Sequence, residues 1–254
     1  MGEKRLRFLI AVLRFHGDVL LTTPVIGEIK RIYPDSIIDL LVYSGTGSIL
    51  KFDDRINSVL EAEASADSNF IKIAFKEILL LRKLSNTKYD FGIFLTTQWR
   101  MALMARCLRG ARTVGVDDLK RRRPFWIKSF SSISPEAGDG HIVKRNLAAL
   151  ETLGLTSIEE KRELSLIIPQ EIKNSIEEIK KNHRLGSNYC VFHTVSRRET
   201  KLWKKESFAQ LIDHYADQGL KVVLTSGPDE KEVNYLKDIE KLTKTNLINL
   251  GGET

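Results

Sequence analysis

No stretch of this 254-residue chain approaches the roughly 20 consecutive apolar residues that a bilayer-spanning helix needs. The amino terminus has no long apolar core followed by small residues, so no secretory leader is expected. Cysteine is scarce: Cys107 and Cys190 lie far apart and match no metal or redox spacing. Both sit in apolar runs, so buried free thiols are expected, as in a cytoplasmic protein. The histidines, His16, His141, His183, His193 and His214, lack metal-ligand spacing, so no metal is expected. There is no G-x-G-x-x-G, which argues against a nicotinamide enzyme. A Walker lysine motif is missing, as is any Asp-x-Asp pair of the kind that holds a metal-bound nucleotide sugar.

What is present is an ordinary globular mixture, 42% apolar and 29% charged. Lys plus Arg is 40 against 33 acids, for a net charge of +7. Such an excess suits an anionic partner, or serves solubility alone. Strand-like and helix-like runs alternate. Leu6–Leu13 reads as a strand buried on both faces, then a helix from about Val25 to Tyr33. Strands follow at Ser36–Tyr43, Ile56–Leu60, Phe91–Thr96 and Arg112–Val116, with helices at Phe70–Leu84, Trp99–Leu108 and Asp139–Leu153. Gly154 closes the last of these. After a polar stretch at Thr156–Arg162 the alternation restarts: helix Gln170–His183, strand Tyr189–Val195, helix Ser207–Gln218, strand Lys221–Ser226, helix Asp229–Leu242, strand Asn246–Leu250. The expectation is an α/β protein of two Rossmann-like domains, 1–165 and 166–254, with parallel sheets facing a cleft. The second series ends after its third strand, where a doubly wound half has five or six. A truncated chain is expected.

The chemistry is expected at strand ends. Gly17-Asp18 follows the first strand, and ligands of open α/β sheets bind at the carboxyl ends of strands. Asp18 could cap a helix or act as a base; Thr23 could equally cap, with Pro24 in the tolerated first turn. Gly17 lets the backbone approach a ligand closely. The loop Ser196-Arg197-Arg198-Glu199-Thr200-Lys201-Leu202-Trp203 is basic and precedes a helix, which suits a diphosphate or merely solvates. Gly227-Pro228 makes a turn, and Asp229 or Glu230 either contacts a ligand or favours the helix dipole. Lys120-Arg121-Arg122-Arg123-Pro124-Phe125-Trp126 is the densest basic cluster. It reads as an anion site, a solvated loop or an RNA contact.

These segments resemble glycosyltransferase family 9, the heptosyltransferases of lipopolysaccharide core synthesis, and are closest to the third heptosyltransferase type. Gly17 to Pro24 matches G-D-x-x-x-T-x-P, Lys201 to Phe208 matches K-x-W-x-x-x-x-F, and Val222 to Pro228 matches V-V-L-T-x-G-P. The resemblance implies a GT-B fold and inverting transfer of heptose from ADP-heptose to the phosphorylated lipid A–core acceptor at the inner face of the inner membrane, without cofactor. It implies that Asp18 is the general base, helping because proton transfer comes late in the transition state. Lys201, with Thr194 and Ser196, would hold the donor phosphates, and Asp229 or Glu230 the ribose. Gly17, Gln98 and the arginines Arg121, Arg122 and Arg123 would meet the acceptor, with Thr96–Arg100, His141 and Arg145 as further acceptor candidates. The enzyme would be cytoplasmic or peripheral at the inner membrane. The chain stops before the family's D-S-x-P-x-H-type donor segment, which implies weak or absent transfer by these residues. The alternative is a truncated, donor-incompetent glycolipid-binding module of the same fold.

Overall fold

The computed structural model describes residues 5–64, 70–118, 123–135, 140–155, 163–196 and 198–253. The chain divides into two compact units, Met1–Ile168 and Pro169–Thr254.

In the first unit the order is β1 (Arg7–Val12), α1 (His16–Leu20), α2 (Thr23–Ile32), β2 (Ile37–Tyr43), β3 (Ser58–Ala62), α3 (Phe70–Asn86), β4 (Phe91–Phe94), α4 (Trp99–Cys107), β5 (Arg112–Val116), α5 (Pro124–Ile127), β6 (Ser132–Ser134) and α6 (Ile142–Thr152). The six strands pair in parallel in the order β3-β2-β1-β4-β5-β6. Strand β1 is central, and its side chains alternate. Phe8, Ile10 and Val12 face a core shared with α2 and α6, while Leu9 and Ala11 face one shared with α3, α4 and α5. Burial on both faces is why its sequence is an unbroken apolar run.

Several local readings change. A separate helix, α1, precedes α2. The loop Ser44–Gly47 leads into a 3-10 turn, Thr46–Leu50, with Gly45 left-handed at φ +80°. Elements α5 and β6 have no counterpart in the sequence expectation. Helix α6 begins at Ile142, not Asp139, since His141 is extended. It ends as expected: Gly154 has φ +71°, and its N–H and that of Leu155 return to the carbonyls of Glu151 and Leu150.

Toward the amino ends of the strands lies a polar knot. Asp39 in β2 is fully buried. Its carboxylate accepts hydrogen bonds from Arg7 (2.9 Å), Tyr89 (2.9 Å), Asn57 (2.8 Å) and Ser58 (2.7 Å). Burial pushes its pKa up, but the hydrogen bonds from Asn57, Ser58, Arg7 and Tyr89 together outweigh that and hold it below the ordinary value. Conversely, burial and the Asp39 charge push the Tyr89 phenol up.

The second unit has α7 (Gln170–Asn182), β7 (Tyr189–His193), α8 (Lys205–Asp217), β8 (Lys221–Ser226), α9 (Glu230–Leu242) and β9 (Ile248–Gly251). Its strands are parallel in the order β7-β8-β9. Ile212, Val222, Leu224, Leu236 and Ile239 form its core. Both cysteines are free but only partly buried, which corrects the expectation of buried thiols; partial burial still raises both thiol pKa values. No helix among the described residues is long and apolar enough to cross a membrane.

Candidate active site

The strand order of the first sheet reverses at β1, whose neighbours β2 and β4 lead the chain in opposite directions across the sheet. Crevices outside the carboxyl ends of strands at such a point are where open α/β sheets bind ligands. The turn after β1 carries Asp18 in the first turn of α1, with Phe15 as the N-cap residue. Asp18 is therefore not the helix cap. Half-buried, its carboxylate has no hydrogen-bond or ion-pair partner among the described residues. A Cβ on Gly17 would meet nothing within 4 Å, so the backbone beside the acid is open to a ligand.

The threonines of the motif have a structural task. Thr22 Oγ1 donates to the Val19 carbonyl (2.7 Å) and Thr23 Oγ1 to that of Leu20 (2.9 Å). Thr23 Oγ1 also accepts from the Ser165 N–H (3.1 Å). Both are fully buried and join α1 to α2. Pro24 occupies the first turn of α2, as read from sequence.

Around Asp18 is a small cavity of about 10 Å³ lined by Val12, Arg14, Leu95, Thr96, Ile142, Arg145 and Asn146. That volume admits about one water, or one hydroxyl group. Three buried polar atoms of lining residues lack partners, Thr96 Oγ1, Arg145 Nε and Asn146 Oδ1, as does Gln98 Oε1 two residues beyond Thr96. Buried polar groups are nearly always satisfied, so such a cluster marks a place where a ligand or water belongs. Gln98 donates its amide N–H to the Leu13 carbonyl (2.8 Å), and Asn146 to that of Leu21 (3.0 Å). Thus Gln98 ties α4 to the end of β1. Arg14 and Asn146 are the residues the sequence reading missed. Asn146 follows Arg145 on α6, and both lie on the side of that helix that meets the rim.

Arg123 is exposed and caps α5. Arg121 and Arg122, with Lys120, lie outside the described residues, as does Arg197. Among the described residues no group of acids, histidines and cysteines is arranged to hold a metal ion.

In the second unit a cavity of about 350 Å³ is lined by Val195, Ser196, Glu199, Leu202, Asp229, Lys231, Glu232 and Tyr235. Ser196 and Asp229 thus share one cavity. Thr194 is buried, its Oγ1 without a partner, in the loop that leads to Ser196. Lys201 is exposed at the end of a 3-10 turn, Glu199–Lys201, next to the lining residue Leu202. Asp229 caps α9, accepting from the Lys231 N–H at 2.9 Å. Glu230 is exposed and does not line the cavity. Glu232, which the sequence reading passed over, does line it and accepts from the Gly227 N–H at 3.2 Å. Trp203 packs edge-on against Phe208, with ring centres 5.1 Å apart, and is half exposed.

The solved structures that resemble this chain carry the same architecture. A glycosyl transferase of family 9 from Veillonella parvula superposes with TM-score 0.79 at 21% identity, covering 100% of this chain and 71% of its own. The Escherichia coli heptosyltransferase WaaC with ADP gives 0.69 at 22% identity, covering 93% and 71%. The E. coli ADP-heptose lipopolysaccharide heptosyltransferase II gives 0.74 at 17%, covering 98% and 73%. These likenesses and the two parallel-sheet units define an α/β protein of GT-B-like fold.

Sequence relatives narrow the class. Residues 78–254 match the model of glycosyltransferase family 9 (heptosyltransferase). Lipopolysaccharide heptosyltransferase 3 of E. coli is 36% identical over 234 residues, 92% of this chain and 67% of its own length. The protein of that name from strain K12 is 34% identical over 246 residues, 95% and 70%. The chain belongs to glycosyltransferase family 9, a family of transferases.

Proposed function

We propose that the protein transfers heptose from ADP-heptose to a phosphorylated lipid A–core acceptor in lipopolysaccharide synthesis, with inversion at the anomeric carbon. The observation that carries the reading is Asp18: an unpartnered carboxylate at the switch point, beside a hydroxyl-sized cavity rimmed by unsatisfied polar atoms. In this reading the acceptor hydroxyl enters that cavity. Thr96, Arg145 and Asn146 hydrogen-bond it, and Asp18 takes its proton as the oxygen attacks the anomeric carbon. The leaving ADP gathers negative charge, which Lys201 neutralises while the Thr194 and Ser196 hydroxyls donate to phosphate oxygens. The carboxylates of Asp229 and Glu232 suit the ribose hydroxyls, and the phosphates are assigned to the opposite side, by Ser196 and the turn that bears Lys201. Arg121, Arg122 and Arg123 meet phosphates of the acceptor. The names of the relatives, and the WaaC structures with ADP and with ADP-2-deoxy-2-fluoro heptose, support this donor and acceptor. The site of action is the cytoplasmic face of the inner membrane.

Two measurements test it. Calorimetry with ADP should show saturable binding that Lys201→Ala weakens about tenfold. ADP release should require both ADP-heptose and the core acceptor. Glycolipid binding with no saturable ADP binding would shift the reading to a donor-incompetent glycolipid-binding module.

A further inference from the structure

The outer face of α3 is apolar where a surface helix is normally polar. Leu80 and Leu84 bury its inner side against the sheet. On the opposite side Ile71 is 81% exposed, Phe75 61% and Ile78 56%. At 100° per residue these three, with Leu79 and Arg82, share one stripe of about 100°. Lys72, Lys76 and Lys83 follow one flank of it. Helices α4 and α5 cover the same face of the sheet and add exposed Leu103, Phe125 and Ile127. The three helices contain a single carboxylate, Glu77, and it is ion-paired with Arg100. Glu61 and Glu63 lie beside α3, and Glu63 is ion-paired with Lys76, so the face offers apolar side chains with more cations than carboxylates, Arg82 and Lys83 among them.

We propose that this face docks the protein on an anionic phospholipid bilayer. Apolar residues that enter the headgroup boundary, beside cations that meet lipid phosphates, are the two requirements of interfacial binding. A nucleic acid would use the cations but not Ile71 and Ile78. The docking face is joined to the candidate site. Arg100 stacks over Tyr43 at 6.0 Å, and the Tyr43 ring lies 6.5 Å from that of Phe15, the N-cap residue of the helix bearing Asp18. Its use in presenting a lipid-anchored acceptor to Asp18 rests on the proposed function; docking itself does not.

The test is flotation with vesicles of phosphatidylcholine, alone or mixed with phosphatidylglycerol, without donor or glycolipid. The protein should float with the mixed vesicles. Phe75→Glu/Ile78→Glu and, separately, Arg82→Glu/Lys83→Glu should each lower binding about tenfold. Circular dichroism melts checked alongside should match the parent, since all four side chains are exposed. Turnover on a soluble, deacylated acceptor should persist in both variants and fall on vesicle-embedded acceptor. The proposal is overturned if the protein ignores both vesicles, or if both variants float like the parent. It is also overturned if Phe75→Glu/Ile78→Glu only splits a dimer, which would make a second copy the occupant. Vesicle binding without turnover on any acceptor would leave docking standing and remove the proposed function.

Discussion

The two ends of the first sheet treat an aspartate in opposite ways. Toward the amino ends Asp39 is fully buried and receives hydrogen bonds from four side chains. At the carboxyl ends Asp18 is half-buried and receives none among the described residues, while Thr96, Gln98, Arg145 and Asn146 each leave a buried polar atom unmatched. Ser36 Oγ is one unmatched atom at the other end, but it is isolated. The same residue type is spent on stability at one end and left unmatched, as the proposed base, at the other.

Substitution should separate the two ends. Asp18→Asn removes the proposed base and, among the described residues, no side-chain contact. Turnover should drop by about 10²–10⁴-fold, with the unfolding free energy changed by less than about 0.5 kcal/mol. Steady-state ADP release and urea unfolding of the same preparation check both halves. Unchanged turnover would end the catalytic role of this acid.

Asp39→Asn should do the reverse. An amide cannot accept from Arg7, Tyr89, Asn57 and Ser58 together, and one of its own donors would face a donor. Loss of about 3 kcal/mol is expected, less than for a fully enclosed pair because the Arg7 side chain is 32% exposed and rehydrates. Urea titration of the variant measures it. Intrinsic donor and acceptor affinities should persist below the unfolding transition.

The Asp39 contribution also has a definite pH window. Its folded pKa is depressed, so the contribution is complete above the unfolded value, near 3.8, and is lost as pH falls through the folded value. The stability gap between parent and Asp39→Asn should be constant near neutrality and shrink in acid below about pH 4. A gap that widened in acid would contradict the ionised network. The smallest effect is expected from Thr96→Val. It removes an unsatisfied hydroxyl, so stability should hold or rise slightly, while the acceptor KM rises about tenfold.

Much of this was legible in the sequence. The run from Leu6 to Leu13 announced a central strand because burial on both faces leaves no room for polar alternation. The glycine, acid, threonine and proline that follow located the first strand end. Helix α1 was not legible, since five residues with a glycine in the second position give no periodicity. Elements α5 and β6 were too short to register. The knot around Asp39 could not be read either: Arg7, Asn57, Ser58 and Tyr89 are distant in sequence, and only the parallel register of β1, β2 and β3 brings most of them to one carboxylate. Asn146 escaped for a related reason, because a single polar residue on an amphipathic helix looks like ordinary surface until the sheet rim is built beside it.

Strand β1 pairs along its length with β2 and over four residues with β4, and nearly all its side chains are buried. Its amide protons should exchange with deuterium only when the whole unit unfolds, whereas the single-turn α1 a few residues later can open by itself. Asp18 therefore stands at a boundary between the slowest and some of the fastest protons in the unit. The proposed base is anchored by rigid backbone behind it and free to adjust in front. A bound acceptor should be visible as slowed exchange in α1 with no change in β1.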